Sequence, residues 1–375
     1  MLARAKIDSA NIKETEDTFY TAGQFQLMWW KLKKHKLAMV AAAVLAVLYF
    51  LAVFCEFFAP YDIFNRHVDH VYAPPMRPRF FDDEDGFSIR PFVYGFTKTV
   101  DKETYRKVYT IDKSKKYPIH LFVRGDPYKL WGLIETDIHL FGVKEGVLFL
   151  FGTESLGRDM FSRVIYGARI SLFIGLIGIA ISFVLGCLLG GISGYYGKTA
   201  DMVIQRIIEI LITIPKIPFW MALSAALPPN WSPIKVYFGI VIILSITGWC
   251  GLARVVRGKI LEVKQEDYSM AAKIAGSSDG RIIVRHLLPA FLSYLIVNIT
   301  LAIPGMILGE TALSFLGIGL RPPVVSWGVL LQQAQNVRTL AVSPWLLIPG
   351  IFVIITVLAF NFFGDGLRDA ADPYK

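Results

Sequence analysis

The chain has 375 residues, of which 54% are hydrophobic and only 18% charged, with a mean hydropathy of +0.49. A soluble domain of this size cannot hide so much apolar surface, so the composition excludes a soluble globular protein and points to a bilayer. The formal charge of +9 flanks apolar runs instead of forming a basic patch with base-stacking aromatics, which argues against a nucleic-acid partner and matches the bias of positive charge toward one membrane face.

Residues 1–36 form a polar and basic segment read as cytoplasmic or interfacial. It ends in Phe25-Gln26-Leu27-Met28-Trp29-Trp30, a pattern suited to lying at headgroup depth. Lys31, Lys33, Lys34 and Lys36 then precede the apolar run Leu37 to Phe58, long enough for the roughly 20 residues of a spanning helix, and place the N-terminus in the cytoplasm. The run ends in Cys-Glu-Phe-Phe-Ala-Pro with no small-residue cleavage site, so an uncleaved first span is expected. Cys55, Cys187 and Cys250 all lie in apolar runs without metal-ligand or redox spacing and read as small hydrophobic fillers. WKLKKHKLAMV followed by FFAPYD resembles the N-terminal span of dipeptide and oligopeptide permeases.

Residues 59–168 predict an extracytoplasmic lobe. Short alternating stretches such as Tyr105 to Tyr109 and His120 to Val123 make it strand-containing. The corresponding loop in the resembled family is usually much shorter, so about 74–148 reads as an insertion, either decoration or a surface that meets a binding protein or roofs a solute entrance. The lobe closes on FGTESLGRDMFSRVIYGARISLFIG, residues 151–175, which resembles the G-T-D-x-L-G-R-D…S-R…Y-G-A-R-x-S-L signature of the same family, with Glu154 at its usual aspartate. Gly157-Arg158-Asp159 predicts a tight turn, and Arg163 and Arg169 fall where they can snorkel or pair near a span entrance.

A five-helix core is expected over 169–365. The second span, Ile170 to Gly194, carries glycines that allow close helix contact. Gly191 to Thr199 superficially resembles a phosphate-binding loop, but five residues instead of four separate Gly191 from Gly197 and no strand precedes it, so no ATP site is read here. Met202 to Leu227 predicts a third span with Arg206 and Glu209 at i, i+3 and a kink from Pro215 and Pro218. Val236 to Val256 predicts the fourth, Ala290 to Leu313 the fifth with Asn298 and Glu310 as polar members, and Trp345 to Phe363 the sixth. Glu209, Asn298 and Glu310 are candidates for the solute pathway or a gate because charge and polarity within a span are costly. For Glu310, in ETALSFLGIGL, helix capping is the alternative. The tail, 366–375, belongs to GDGLRDAADPYK, similar to the family's G-D-x-L-R-D-x-x-D-P ending and read as a cytoplasmic charge cluster.

Between spans four and five, Arg254 to Pro289 carries seven Lys or Arg, whereas the connection 228–234 carries none. This predicts six spans with both termini inside and a cytoplasmic loop over 257–289. Tyr268, Ala271, Ala272 and Ala275 fall at i, i+3, i+4 and i+7, one aromatic and three small side chains on a helical face that another surface can approach closely. Gly276 should end that helix in a left-handed conformation, Ser277, Ser278 and Asp279 cap a second, and Pro289 stop it. A solvated basic loop is the plain alternative. Met270 to Gly276, with His286-Leu287-Leu288-Pro289 nine residues on, resembles the EAA loop of ABC importer permeases, with Met270 in place of the acidic residue and His286 in place of isoleucine.

The resemblance implies an all-α integral membrane permease of a peptide importer in a bacterial inner membrane, with a strand-containing insertion between spans one and two. Tyr268, Ala271, Ala272, Ala275 and Gly276 would form the coupling helix. By the same resemblance the partners are a second homologous permease, two ABC ATPase subunits that hold ATP and Mg, and an extracytoplasmic solute-binding protein; the chain itself needs no cofactor and is not an enzyme. Oligosaccharides or another solute are alternatives to peptides. An ion-driven secondary transporter would call for mid-bilayer carboxylates or an inverted repeat, and an intramembrane protease for a serine with histidine or paired aspartates within spans. Neither pattern is found.

Overall fold

The computed structural model describes residues 23–82, 86–100, 102 and 107–372. The expectations for residues 1–22 and for Tyr105 and Arg106 lie outside them. Helix α1, Gln24–Lys34, runs into α2, Lys36–Val53, which breaks at Phe54 and finishes in a single turn, Cys55–Phe58. The remaining long helices are α3 Met160–Tyr196, α4 Lys198–Thr213, α5 Lys216–Ala225, α6 Pro233–Val263, α7 Asp267–Ile274, α8 Leu292–Phe315 and α9 Ile348–Ala371. Among the described residues five helices are long and apolar enough to cross a bilayer: α2, α3, α6, α8 and the segment Pro344–Ala371 containing α9.

The sixth candidate departs from expectation. Met202 to Leu227 is not one kinked span but two helices, α4 and α5, set at 90° to one another. Ile214 is extended (φ −77°, ψ 130°), as steric conflict with a following proline ring demands, and Pro215 cannot restore the helix by donating an N–H. Pro218 falls within the first turn of α5, where its missing donor removes no intrahelical bond.

Two helices are longer than the apolar runs suggest. α3 begins at Met160 because Asp159 caps it, its carboxylate accepting from Ser162 N at 2.7 Å. α6 continues to Val263, so the first ten residues of the basic stretch are helix, not loop. The cause is its packing on α3: a Cβ built on Gly190 would stand 2.5 Å from Ala253 O, so only glycine lets the two backbones come this close. The contact continues past the apolar run, with Ile260 against Gly194.

The insertion is an antiparallel meander, β1 Arg79–Asp82, β2 Gly86–Val100, β3 Lys107–Leu130 and β4 Ile134–Val143, in that spatial order. Register shifts at Tyr94/Gly95 and Arg124/Tyr128 bend β3, which pairs with β2 over its first half and with β4 over its second. Val93 forms a small core of its own with Ala73, Met76, Leu148 and Phe149 from the segments that flank the sheet.

Candidate functional site

The predicted loop folds into a compact tethered unit. α7 ends as expected, with Gly276 at φ +76°. A second helical stretch follows from Asp279, capped backbone-first by Ser278, but it widens into a π-helical turn over Ile282–Leu287 and breaks at Phe291, not at Pro289. A proline ring clashes with the carbonyl four residues back, and the wider turn relieves that clash while keeping the chain helical.

α7 is oriented by its buried side. Ser269 is buried, and Ala272 packs against a cluster containing Val256, Ile260, Ile282, Ile283 and Leu287. The expected face is therefore split: Tyr268, Ala271, Ala275 and Gly276 are exposed, while Ala272 turns toward the body. Met270 and Ile274, which helical spacing had not singled out, stand on the outer side, Ile274 at 86% exposure.

Polar ties fix this unit to the ends of α3 and α4. Asp201 accepts from Arg257 Nε and Nη2, both at 2.5 Å, and from Ser193 Oγ at 2.5 Å. Lys264 Nζ donates to Gly194 O at 3.2 Å, and Tyr195 Oη donates to Asp279 Oδ1 at 2.8 Å. The two-pronged Arg257 contact resists rotation as well as separation. Asp201, Tyr195 and Asp279 were missed as a set because 56 residues separate Asp201 from Arg257, and no local pattern encodes the pair.

Elsewhere in the helical body, Glu310 is fully buried. Its carboxyl accepts from Ser314 Oγ (2.8 Å), Ser326 Oγ (2.7 Å) and Ser171 Oγ (3.3 Å). Each serine in turn takes a backbone N–H: Leu320 for Ser314, Val329 for Ser326, Trp327 for Ser171. Glu310 thus locks the loop after α8 onto α3, as the shared acceptor of three relays. The other two pathway candidates sit apart from it and from each other: Asn298 donates to Tyr294 O at 2.9 Å within α8, and Glu209 pairs with Arg206 at 2.9 Å on the exposed side of α4.

The 151–175 signature builds a second lock. Gly157 (φ +72°) makes the expected turn, its N–H bonding Glu154 O. Buried Glu154 is held by Arg158, Gln333 and, at 3.8 Å, Arg163. Burial works to raise the Glu154 carboxyl, but the Arg158 hydrogen bond and the nearby Arg163 charge prevail and bring it below its ordinary value. Asp159 next door has only hydroxyl and amide partners, and burial pushes it up to about 6. Arg169 forks onto Glu56, both contacts at 2.6 Å, so both arginines pair as the signature suggested.

A helical membrane-type protein whose long apolar helices are joined by an exposed short helix is the class this geometry defines. The chain belongs to the family described as binding-protein-dependent transport system inner membrane component, which matches residues 182–374; residues 23–75 match the N-terminal TM domain of oligopeptide transport permease C. The protein is thus the permease subunit of an ABC importer, and in this family the permease is not itself the ATPase. It is 41% identical over 225 residues to the dipeptide transport system permease protein DppC of Bacillus subtilis (60% of this chain, 68% of the relative). Similarity to oligopeptide transport system permease protein OppC of Haemophilus influenzae is 43% over 230 residues (61% and 71%), and to DppC of Lactococcus lactis 33% over 353 residues (93% and 90%). Among solved structures, the methionine ABC transporter MetNI in inward facing conformations matches at 18% identity and a TM-score of 0.43, over 56% of this chain and 96% of the other.

Proposed function

We propose that this chain is one of two homologous permeases in an ATP-driven importer of peptides, working by alternating access in a bacterial inner membrane. The observation that carries the reading is α7: a short helix with Ile274, Met270, Ala271, Ala275 and Tyr268 uncovered, whose flanking segments are tied down on both sides, Arg257 of α6 before it bonding Asp201 at the start of α4 and Asp279 after it bonding Tyr195 at the end of α3. A helix so mounted can receive a push from an ATPase subunit and pass it to two membrane helices at once. Tyr268, Ala271, Ala275 and Gly276 form the contact, joined by Met270 and Ile274, while Ala272 supports it from behind. With Met270 at the acidic position of the motif, the docking surface there is apolar.

ATP and Mg belong on the two partner ATPases, and an extracytoplasmic binding protein delivers solute from the side of the lobe. In this reading α4 and α5 together count as one broken span, giving six spans with both termini cytoplasmic and the lobe of 59–168 outside. The exposed Met202, Val203, Ile207 and Ile210 of α4 offer apolar surface for the second permease. Peptides are favoured over oligosaccharides because the relatives are named for dipeptide and oligopeptide transport. The test is ATP-dependent uptake by membrane vesicles containing the whole assembly: accumulation of labelled short peptides supports the reading, and accumulation of oligosaccharides alone overturns the solute assignment.

A further inference from the structure

We propose that the β3–β4 hairpin of the lobe is a membrane anchor, its tip at Trp131 to Ile134 immersed in the lipid leaflet on the lobe's side. The first observation is how α2 ends. Its break at Phe54 leaves the carbonyls of Ala52 and Val53 without helical partners, a defect that hydrocarbon cannot satisfy. Arg169 covers both, and Trp131 Nε1 donates to Val53 O at 2.9 Å. A hairpin from the lobe thus completes the end of a spanning helix.

The second observation is depth. Lys36, whose ammonium requires water, marks the start of α2, and Val53 lies about 26 Å further along the axis. A hydrocarbon core is roughly 30 Å thick, so the indole that reaches Val53 sits at or just within its far boundary. Tryptophan is suited to that zone, with an apolar ring and one donor.

The third is continuity of apolar surface. α2, an apolar helix of spanning length, exposes Val40, Val47 and Phe50. From Phe50 a chain of ring contacts leads through Phe54 (5.0 Å) to Trp131 (5.3 Å), and Phe57 meets Phe122 at 6.3 Å. At the tip Leu133 is 81% exposed and Ile134 is also uncovered, while the exposed Leu121 and Phe122 stand further back along β3. The ion pairs begin only behind the tip, with Lys129–Glu135 at 2.7 Å and Arg124–Asp137 at 3.9 Å, in the order a headgroup region would accept.

The turn itself presents the aromatic. Trp131 (φ +52°) and Gly132 (φ +75°) lie in the left-handed region within the three-residue loop between the paired Leu130 and Ile134, as the central residues of a turn closed by Leu133 N donating to Leu130 O at 3.0 Å. A bulky side chain rarely holds that conformation, so the contact of Trp131 with α2 is built at a local cost.

The experiment uses the full chain with its co-purifying subunits, reconstituted in phosphatidylethanolamine and phosphatidylglycerol bilayers. Nitroxides are placed at Leu133→Cys, at Val47→Cys on α2, and at Val100→Cys at the end of β2, which pairs with the end of β3 far from the turn; the native cysteines are buried. The ratio of collision with oxygen to collision with a water-soluble nickel complex reports immersion. The proposal expects the ratio at 133 to match that at 47 and to exceed that at 100 several-fold. A ratio at 133 equal to that at 100 overturns it, and so does shielding of 133 from both quenchers, which would place another subunit there.

Discussion

Glu154 and Asp159 stand five residues apart in one turn and meet opposite fates because only Glu154 has arginines beside it. Asp159 is raised to about 6 by burial, so between the ordinary carboxylate value near 3.8 and about 6 the folded state holds a proton that the unfolded state has lost. Its contribution therefore favours folding below that window and declines as pH rises through it, by on the order of 3 kcal/mol at most. Asp159→Asn keeps the cap to Ser162 and should flatten this slope, so thermal unfolding in detergent between pH 4 and 6.5 should show the variant gaining on the parent as pH increases. Glu154 acts the other way: its stabilisation is present above about 4.5 and is lost on acidification below it. Glu310 is a matter of hydrogen bonds. Glu310→Gln leaves one of three serine hydroxyls without an acceptor and should cost about 1–3 kcal/mol, lowering the unfolding temperature. Were Glu310 a pathway group, the same variant would change solute transport at unaltered stability.

At the scale of elements, two contacts dominate. The α3–α6 seam tolerates nothing larger than hydrogen at Gly190, since a methyl would press on Ala253 O. Gly190→Leu should separate the helices and reduce the recovered folded protein, measured by size-exclusion in mild detergent, whereas Gly258→Ala, with open space around it, should be neutral. For α7, Ala271→Trp adds bulk on the uncovered side and should abolish uptake while leaving membrane insertion intact; normal uptake and solute-stimulated ATPase would argue against this helix as the contact. Ala272→Trp would instead disturb the cluster around Val256 and Ile260, mixing instability with uncoupling. Much of α7 was legible because small residues recur at helical spacing and Gly276 marks the end. The right-angle break at Ile214 was only half legible: prolines announce an interruption, but packing sets its angle. The Arg257–Asp201 tie was not legible, since sequence spacing says nothing of two groups joined only by the tertiary fold. Glu310 was visible as a buried charge, while its three serine partners, on three separate segments, were not.

At the scale of the whole molecule, long helices carry the permease and a bent β-meander stands on one end of them. The residues between the two family matches, 76–181, hold that lobe and the start of α3, yet the lobe shares its core with the segment leading into α3. We propose that removal of residues 75–147 separates decoration from function: unchanged uptake would confine the lobe to decoration, and loss of delivery by the binding protein with intact ATPase activity would assign it the solute entrance. The central claim, that this chain draws its energy from ATPase partners through α7, is tested most directly by affinity purification of the intact chain from gently solubilised membranes. The account predicts recovery of an ABC ATPase and a second permease, with the ATPase lost from the Ala271→Trp preparation. Recovery of the chain alone or as a homo-oligomer, with solute movement driven by an ion gradient, would contradict it.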